Sequence, residues 1–176
     1  MIDLVITLIG PDHPGIVDSL SKVVASSGGN WLESRMAHLA GKFAGVLLVE
    51  VDDEQAATLE AALAQLESGG LRIRVERSAP VEAPRQHPME IELLGVDRPG
   101  LIHEVSALLA SHGINVEELA TDRRAAAHSG DHLFHAHLRV VIPVSLEVTV
   151  VRQGLERLAG DLMVEVRLAE AADSPG

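Results

Sequence analysis

The 176 residues carry 26 acidic against 14 basic side chains, a formal net charge of -12. Such a surface repels polyanions, and Arg123-Arg124 is the only adjacent basic pair, so direct nucleic-acid binding is not expected. The absence of cysteine removes disulfides and thiol chemistry, and 2% aromatics (Trp31, Phe43 and Phe134) leave almost no stacking platform for bases.

In chain order, residues 2–9 alternate, with Ile2, Leu4, Ile6 and Leu8 on one face of a predicted strand. The turn GPDHPG follows at 10–15. Residues 14–27 then place Ile16, Val17, Leu20, Val23 and Val24 at helical spacing. Pro14 suits a first helical turn, Asp12 reads as its N-cap, and Gly28-Gly29 as its end. A strand over 30–39, the turn AGK and a strand over 43–51 come next. The last of these is apolar on both faces, which implies cover on its outer side. DDEQAATLEAALAQLE has an acidic first turn and an Ala/Leu/Glu interior, the marks of a helix. LRIRVERS alternates as a fourth strand.

The pattern then repeats. GPDHPGIVDSLSKVVASSGGN at 10–30 returns without a gap as GVDRPGLIHEVSALLASHGIN at 95–115. Gly10, Asp12, Pro14, Gly15, Ser21, Gly28 and Asn30 meet Gly95, Asp97, Pro99, Gly100, Ser106, Gly113 and Asn115. Two long copies indicate a duplicated small domain rather than a solenoid. The second copy reads as strand 88–94, helix 99–112, strand 114–124, strand 132–142, helix 145–159 and strand 161–169. The helix over 145–159 contains Gly154 and a β-branched start, and it is placed by register with the first copy.

The fold class is therefore α+β: two ferredoxin-like βαββαβ domains in tandem. The first spans 1–78, a proline-rich linker 79–87, the second 88–170, and a flexible tail 171–176.

The turn's chemistry follows from its place between a strand and a helix. Free backbone N–H groups and the helix dipole favour an anion there. Asp12 or Asp97 adds an acceptor for an ammonium group, so the pair suits an amino acid better than a phosphate. Neither the G-x-x-x-x-G-K-[ST] nor the G-x-G-x-x-G pattern is present. A purely structural turn, capped by Asp and tightened by Gly, remains the alternative at this level.

The pattern G-x-D-x-P-G-[IL], a helix, then G-x-N resembles the ACT domain, and both copies fit. The stretch GIVDSLSKVV…NWLESRMAHLAGKFAGVLLVEV further resembles the tandem-ACT glycine cleavage system transcriptional repressor group. The resemblance implies an amino-acid ligand, with glycine as the expected signal. It implies a transcription activator as protein partner, no direct contact with DNA, and a homodimer. The implied ligand-binding residues are Asp12, His13, Pro14, Gly15, Ile16 and Asn30 in the first copy, and Asp97, Arg98, Pro99, Gly100, Leu101 and Asn115 in the second. No cofactor and no metal are expected. With no basic leader and no apolar run of membrane length, a soluble cytoplasmic protein is expected.

Other groups were weighed. His128, His132, His135 and His137 cluster in HSGDHLFHAH, where a metal site competes with pairing to Glu90 and Glu92 across a sheet face. Arg123-Arg124 reads as a solvated strand end, and Trp31 as packing. Ser19, Ser21 and His103 fall on helices, and His103 aligns with Asp18, so no triad is duplicated and no enzyme is expected. A scaffold without ligand, or a metal-dependent enzyme using the 128–137 histidines, are the rival readings.

Overall fold

A computed structural model describes residues 1–78, 86–125 and 132–171. The chain divides into two compact units, Met1–Glu82 and Ala83–Gly176. The first runs β1 (Ile2–Pro11), α1 (Ile16–Ser26), β2 (Asn30–Leu39), β3 (Lys42–Val51), α2 (Asp53–Gln65) and β4 (Arg72–Ser78). The second runs β5 (Gln86–Val96), α3 (Leu101–Ser111), β6 (Asn115–Ala125), β7 (His132–Pro143), α4 (Val148–Leu162) and β8 (Val164–Glu170). Each sheet is antiparallel, in the orders β2-β3-β1-β4 and β6-β7-β5-β8, so both units are ferredoxin-like.

The period-two pattern of β1 works as expected. Leu4, Ile6 and Leu8 are buried with Leu47, Val49 and Val51 of β3 against Ile16, Leu20, Val24, Ala56, Leu59 and Leu63 of the two helices. Trp31 is half-buried and packs on this core. In the second unit Ile91 and Leu93 of β5 meet Ala136, Leu138 and Val140 of β7 beneath Leu101, Val105, Leu109, Val151 and Leu155. With so few aromatic rings, these aliphatic layers supply the stability of each unit.

Several boundaries differ from the sequence reading. The first helix starts at Ile16, with Gly15 as N-cap, so Pro14 lies just outside it and Asp12 is not the cap. Neither Gly15 nor Gly100 is replaced in that role by a side-chain cap. β5 begins at Gln86, inside the segment expected to be linker. His87 and Pro88 pair with Ile142 and Val141, whereas pairing to β8 starts at Met89. Pro88 thus sits where β5 has one ladder neighbour, a place that tolerates proline. The remaining expected linker, 79–85, and all of the expected tail after Ala171 lie outside the described residues. The fourth helix, expected over 145–159, runs Val148–Leu162. Its Gly154 has a packing reason: a Cβ there would come 3.3 Å from Leu108 of α3.

The outer sheet faces have diverged. In the first unit Val5, Val46 and Leu48 form an apolar stripe, and Val46 is 39% exposed, so the unit does not itself provide the cover expected over strand 43–51. In the second unit the same face carries Glu90, Glu92, His135, His137 and Arg139.

Gly10 and Gly95 hold matching places at the ends of β1 and β5. A Cβ on Gly10 would lie 2.9 Å from the Gly70 carbonyl oxygen, and one on Gly95 2.9 Å from Val164 Cβ. Overpacking of this kind costs about 1–3 kcal/mol. Gly10→Ala and Gly95→Ala are each expected to lose about that much in urea denaturation. Gly160→Ala, whose Cβ would meet nothing within 4 Å, should be neutral or gain up to ~1 kcal/mol from helix propensity.

Candidate functional site

The strand-to-helix turns are the site to build, and their backbone comes first. Gly15 and Gly100 have φ 94, a left-handed conformation that other residues adopt only with strain. The Ser19 N–H then donates to the Gly15 carbonyl at 2.9 Å, and the Glu104 N–H to the Gly100 carbonyl at 3.0 Å. The preceding N–H groups of each first turn have no side-chain acceptor from the cap, which leaves them for an anion. The other end of each turn is tied to the neighbouring hairpin. The Asp12 N–H donates to Gly41 O at 3.1 Å and the Asp97 N–H to His132 O at 2.9 Å.

This backbone sorts the expected residues. Gly10, Gly15, Gly95 and Gly100 serve geometry. The side chains of Ile16 and Leu101 belong to the cores, so only their backbone N–H groups reach the turn. Pro14 and Pro99 are exposed and bring the chain into the helix. Asp12, His13 and Arg98 are exposed, and Asp97 is half-buried. These four side chains give the turns their chemistry.

Asn30 and Asn115 do not join the turns of their own units. Asn30 pairs with Glu50, which pairs with Asp3 at the start of β1, whereas Asp12 follows Pro11 at its end. Eight strand steps of about 3.4 Å, roughly 27 Å, separate the Asn30 level from Pro11, the residue before Asp12. Asn115 opposes Val141, at the Pro88 end of β5, while Asp97 follows Val96 at the other end. A strand followed by a helix returns the chain to the other end of the strands, so within one unit the two asparagines stand apart from the turn.

Two other residues do reach the aspartates. His38 Nε2 lies 3.7 Å from Asp12 Oδ2, and Arg123 Nε lies 2.9 Å from Asp97 Oδ2. His38 and Arg123 occupy matching places in the same gapless register that aligns residue 10 with 95. Arg123 is therefore more than the solvated strand end its sequence suggested. Its neighbour Arg124 pairs instead with Asp122. Within each turn, His13 Nδ1 is 3.0 Å from the Pro14 carbonyl and donates to it, and Arg98 Nη2 is 3.5 Å from Glu104 Oε1.

The histidine cluster forms an ionic lattice. His135 Nδ1 lies 2.9 Å from Asp122 Oδ1 and His135 Nε2 lies 3.0 Å from Glu92 Oε1, so both ring nitrogens face carboxylates and both must carry hydrogen. His137 Nε2 is 3.6 Å from Glu90 Oε2, the pairing expected of this face. His128 lies outside the described residues. Among the described residues no group of three or more His, Asp or Glu is arranged to hold a metal ion. The hydrogen bond to Glu92, then that to Asp122, raises the His135 pKa. The bond to His135 lowers that of Glu92; Arg124 first, then His135, lowers that of Asp122.

A raised histidine pKa stabilises fully below its ordinary value near 6.5, and that stabilisation is lost as pH rises through the raised value. Lowered carboxylate pKa values stabilise above 4.5 for Glu92 and 3.8 for Asp122, and the gain is lost as pH falls through the lowered values. The gap in melting temperature between the native chain and His135→Gln is therefore expected to be widest between about pH 4.5 and 6.5 and to shrink on the alkaline side. A gap that keeps growing as pH rises above 6.5 would contradict the assignment.

Comparison with known proteins places these features. ACT-domain family models match residues 3–76 and residues 89–131. The glycine cleavage system transcriptional repressors of Escherichia coli (strain K12) and Shigella flexneri are each 28% identical over 163 residues, covering 90% of this chain and 85% of theirs. A crystal structure of an unknown protein from Galdieria sulphuraria superposes with a TM-score of 0.85 at 31% identity, covering 97% of this chain and 99% of that one.

Proposed function

We propose, since the chain belongs to the ACT-domain family and is built of two ACT domains in tandem, that it is a non-enzymatic regulatory protein that senses a small amino acid. The observation that carries the reading is the turn itself. Uncapped helix N–H groups and an aspartate stand side by side, one complement for each end of a zwitterion. A phosphate would meet the aspartate as a like charge. Asp12, His13, Pro14, Gly15 and the Ile16 N–H form the first such turn, and Asp97, Arg98, Pro99, Gly100 and the Leu101 N–H the second. Asn30 and Asn115, at the other end of the strands, are not part of these turns.

Glycine is the proposed ligand. Support comes from likeness to proteins described as glycine cleavage system transcriptional repressors, along nine-tenths of the chain. The net charge of -12 and the scarcity of paired basic residues favour action through a protein partner, a transcription activator, rather than on DNA. A homodimer in the cytoplasm is part of the same proposal. Among the described residues no helix is long and apolar enough to cross a membrane.

A ligand that binds only the folded chain stabilises it by mass action, by about 2.7 kcal/mol at a hundredfold excess over Kd. For units of this size, where 1 kcal/mol moves Tm by about 4–8 °C, that is a rise of roughly 11–22 °C. Thermal melts across the twenty amino acids are expected to show such a rise with glycine. A rise with a different amino acid keeps the sensor and discards glycine. No rise with any of them at millimolar concentration points instead to a scaffold without ligand.

A further inference from the structure

The two turns share one backbone but differ in what already fills them. We infer that the first unit alone responds to ligand, because in the second an arginine of the fold already pairs with the aspartate and a carboxylate of the fold lies near the helix start. This rests on the amino-acid-binding reading above.

An amino acid brings an ammonium group, which needs an acceptor, and a carboxylate, which needs donors. In the second unit the acceptor for the ammonium is already paired within the fold, and a carboxylate of the fold stands near the start of α3. The Arg123 guanidinium donates from Nε to Asp97 Oδ2 at 2.9 Å, taking the place of an ammonium. Charge-assisted bonds of this kind are among the strongest the surface offers, and a guanidinium keeps its charge at any physiological pH. Glu104 supplies the carboxylate. Its Oε1 lies 3.5 Å from Arg98 Nη2 and 3.8 Å from where a Cβ on Gly100 would stand, beside the start of α3.

Every one of these features changes in the first unit. His38 replaces Arg123 and stands off at 3.7 Å from Asp12 Oδ2. Ser19 stands in the place of Glu104, and its short side chain carries no carboxylate to lay against the helix start. The acid in this first turn, Asp18, is turned along the helix to Lys22 at 2.7 Å. Nothing lies within 4 Å of a Cβ placed on Gly15. His13 is drawn onto the Pro14 carbonyl rather than to a carboxylate. The first turn carries an aspartate with a histidine 3.7 Å away, whereas the aspartate of the second is held by an arginine at 2.9 Å. His38 and Arg123 are thus the positions that set which copy listens.

Titration calorimetry of the full chain with glycine tests this, with melting curves recorded alongside to separate lost binding from lost folding. One glycine per chain is expected. Asp12→Asn should raise Kd at least tenfold, and more than Asp97→Asn does. The paired change Arg123→His with Glu104→Ser should raise the stoichiometry to two. Loss of binding through Asp97→Asn but not Asp12→Asn, two glycines on the native chain, or a paired variant that stays at one would each overturn the inference while leaving the sensor reading intact. No binding of any amino acid to the native chain would sink both.

Discussion

Each unit depends on one backbone constraint: the chain must turn from a buried strand into a helix within four residues while both remain packed on the same core. A left-handed glycine at φ 94 makes the turn, and a second glycine five positions earlier lets the strand end lie against the start of the last strand. The side chains at the start of the helix, Ile16 and Leu101, are consumed by the core. The helix therefore begins with bare N–H groups facing outward and no side chain to cap them. An uncapped helix start is a by-product of the packing, and it is present twice because the packing is.

Duplication then let the copies specialise without touching that constraint. The cores match layer for layer, whereas the surfaces have separated. One sheet presents an apolar outer stripe, the other a lattice of carboxylates, histidines and arginine. The turns have separated in the same sense. Arg123 and Glu104 neutralise one, and His38 and Ser19 leave the other open. In both places the second unit satisfies its charges internally and the first leaves surface unspent. Such asymmetry is how one duplicated fold can divide its labour between a stable body and a responsive site.

Much of this was legible in the sequence, for physical reasons. Alternation in β1 and helical spacing in α1 are direct images of burial, and the repeat confirmed each element with its twin. The helix starts were set too early because Pro14 suits a first turn in composition, while the left-handed conformation of Gly15 leaves no trace in a residue pattern. The last helix starts later than register with the first copy implies, because four residues, Val144 to Glu147, join β7 to α4 where Asp52 alone joins β3 to α2. Asn30 is joined to Asp12 by the family resemblance alone; within one unit the helix between them runs back along the sheet, so the two stand at opposite ends of the strands. His38 and Arg123 could have been found, since they align in the repeat and end the strand beside each turn. The reach of Glu104 back to Arg98 depends on its side-chain conformation and could not.

The most direct test of the account is a residue-resolved titration of the 15N-labelled chain with glycine. The amide signals of Gly15 and Ile16 are expected to move saturably, together with that of Asp12, while those of Gly100, Leu101 and Asp97 stay in place. Movement confined to the second group, or equal movement of both, would contradict the division of labour between the two units. Saturation with neither group moving would place the ligand elsewhere and remove the turn as the site.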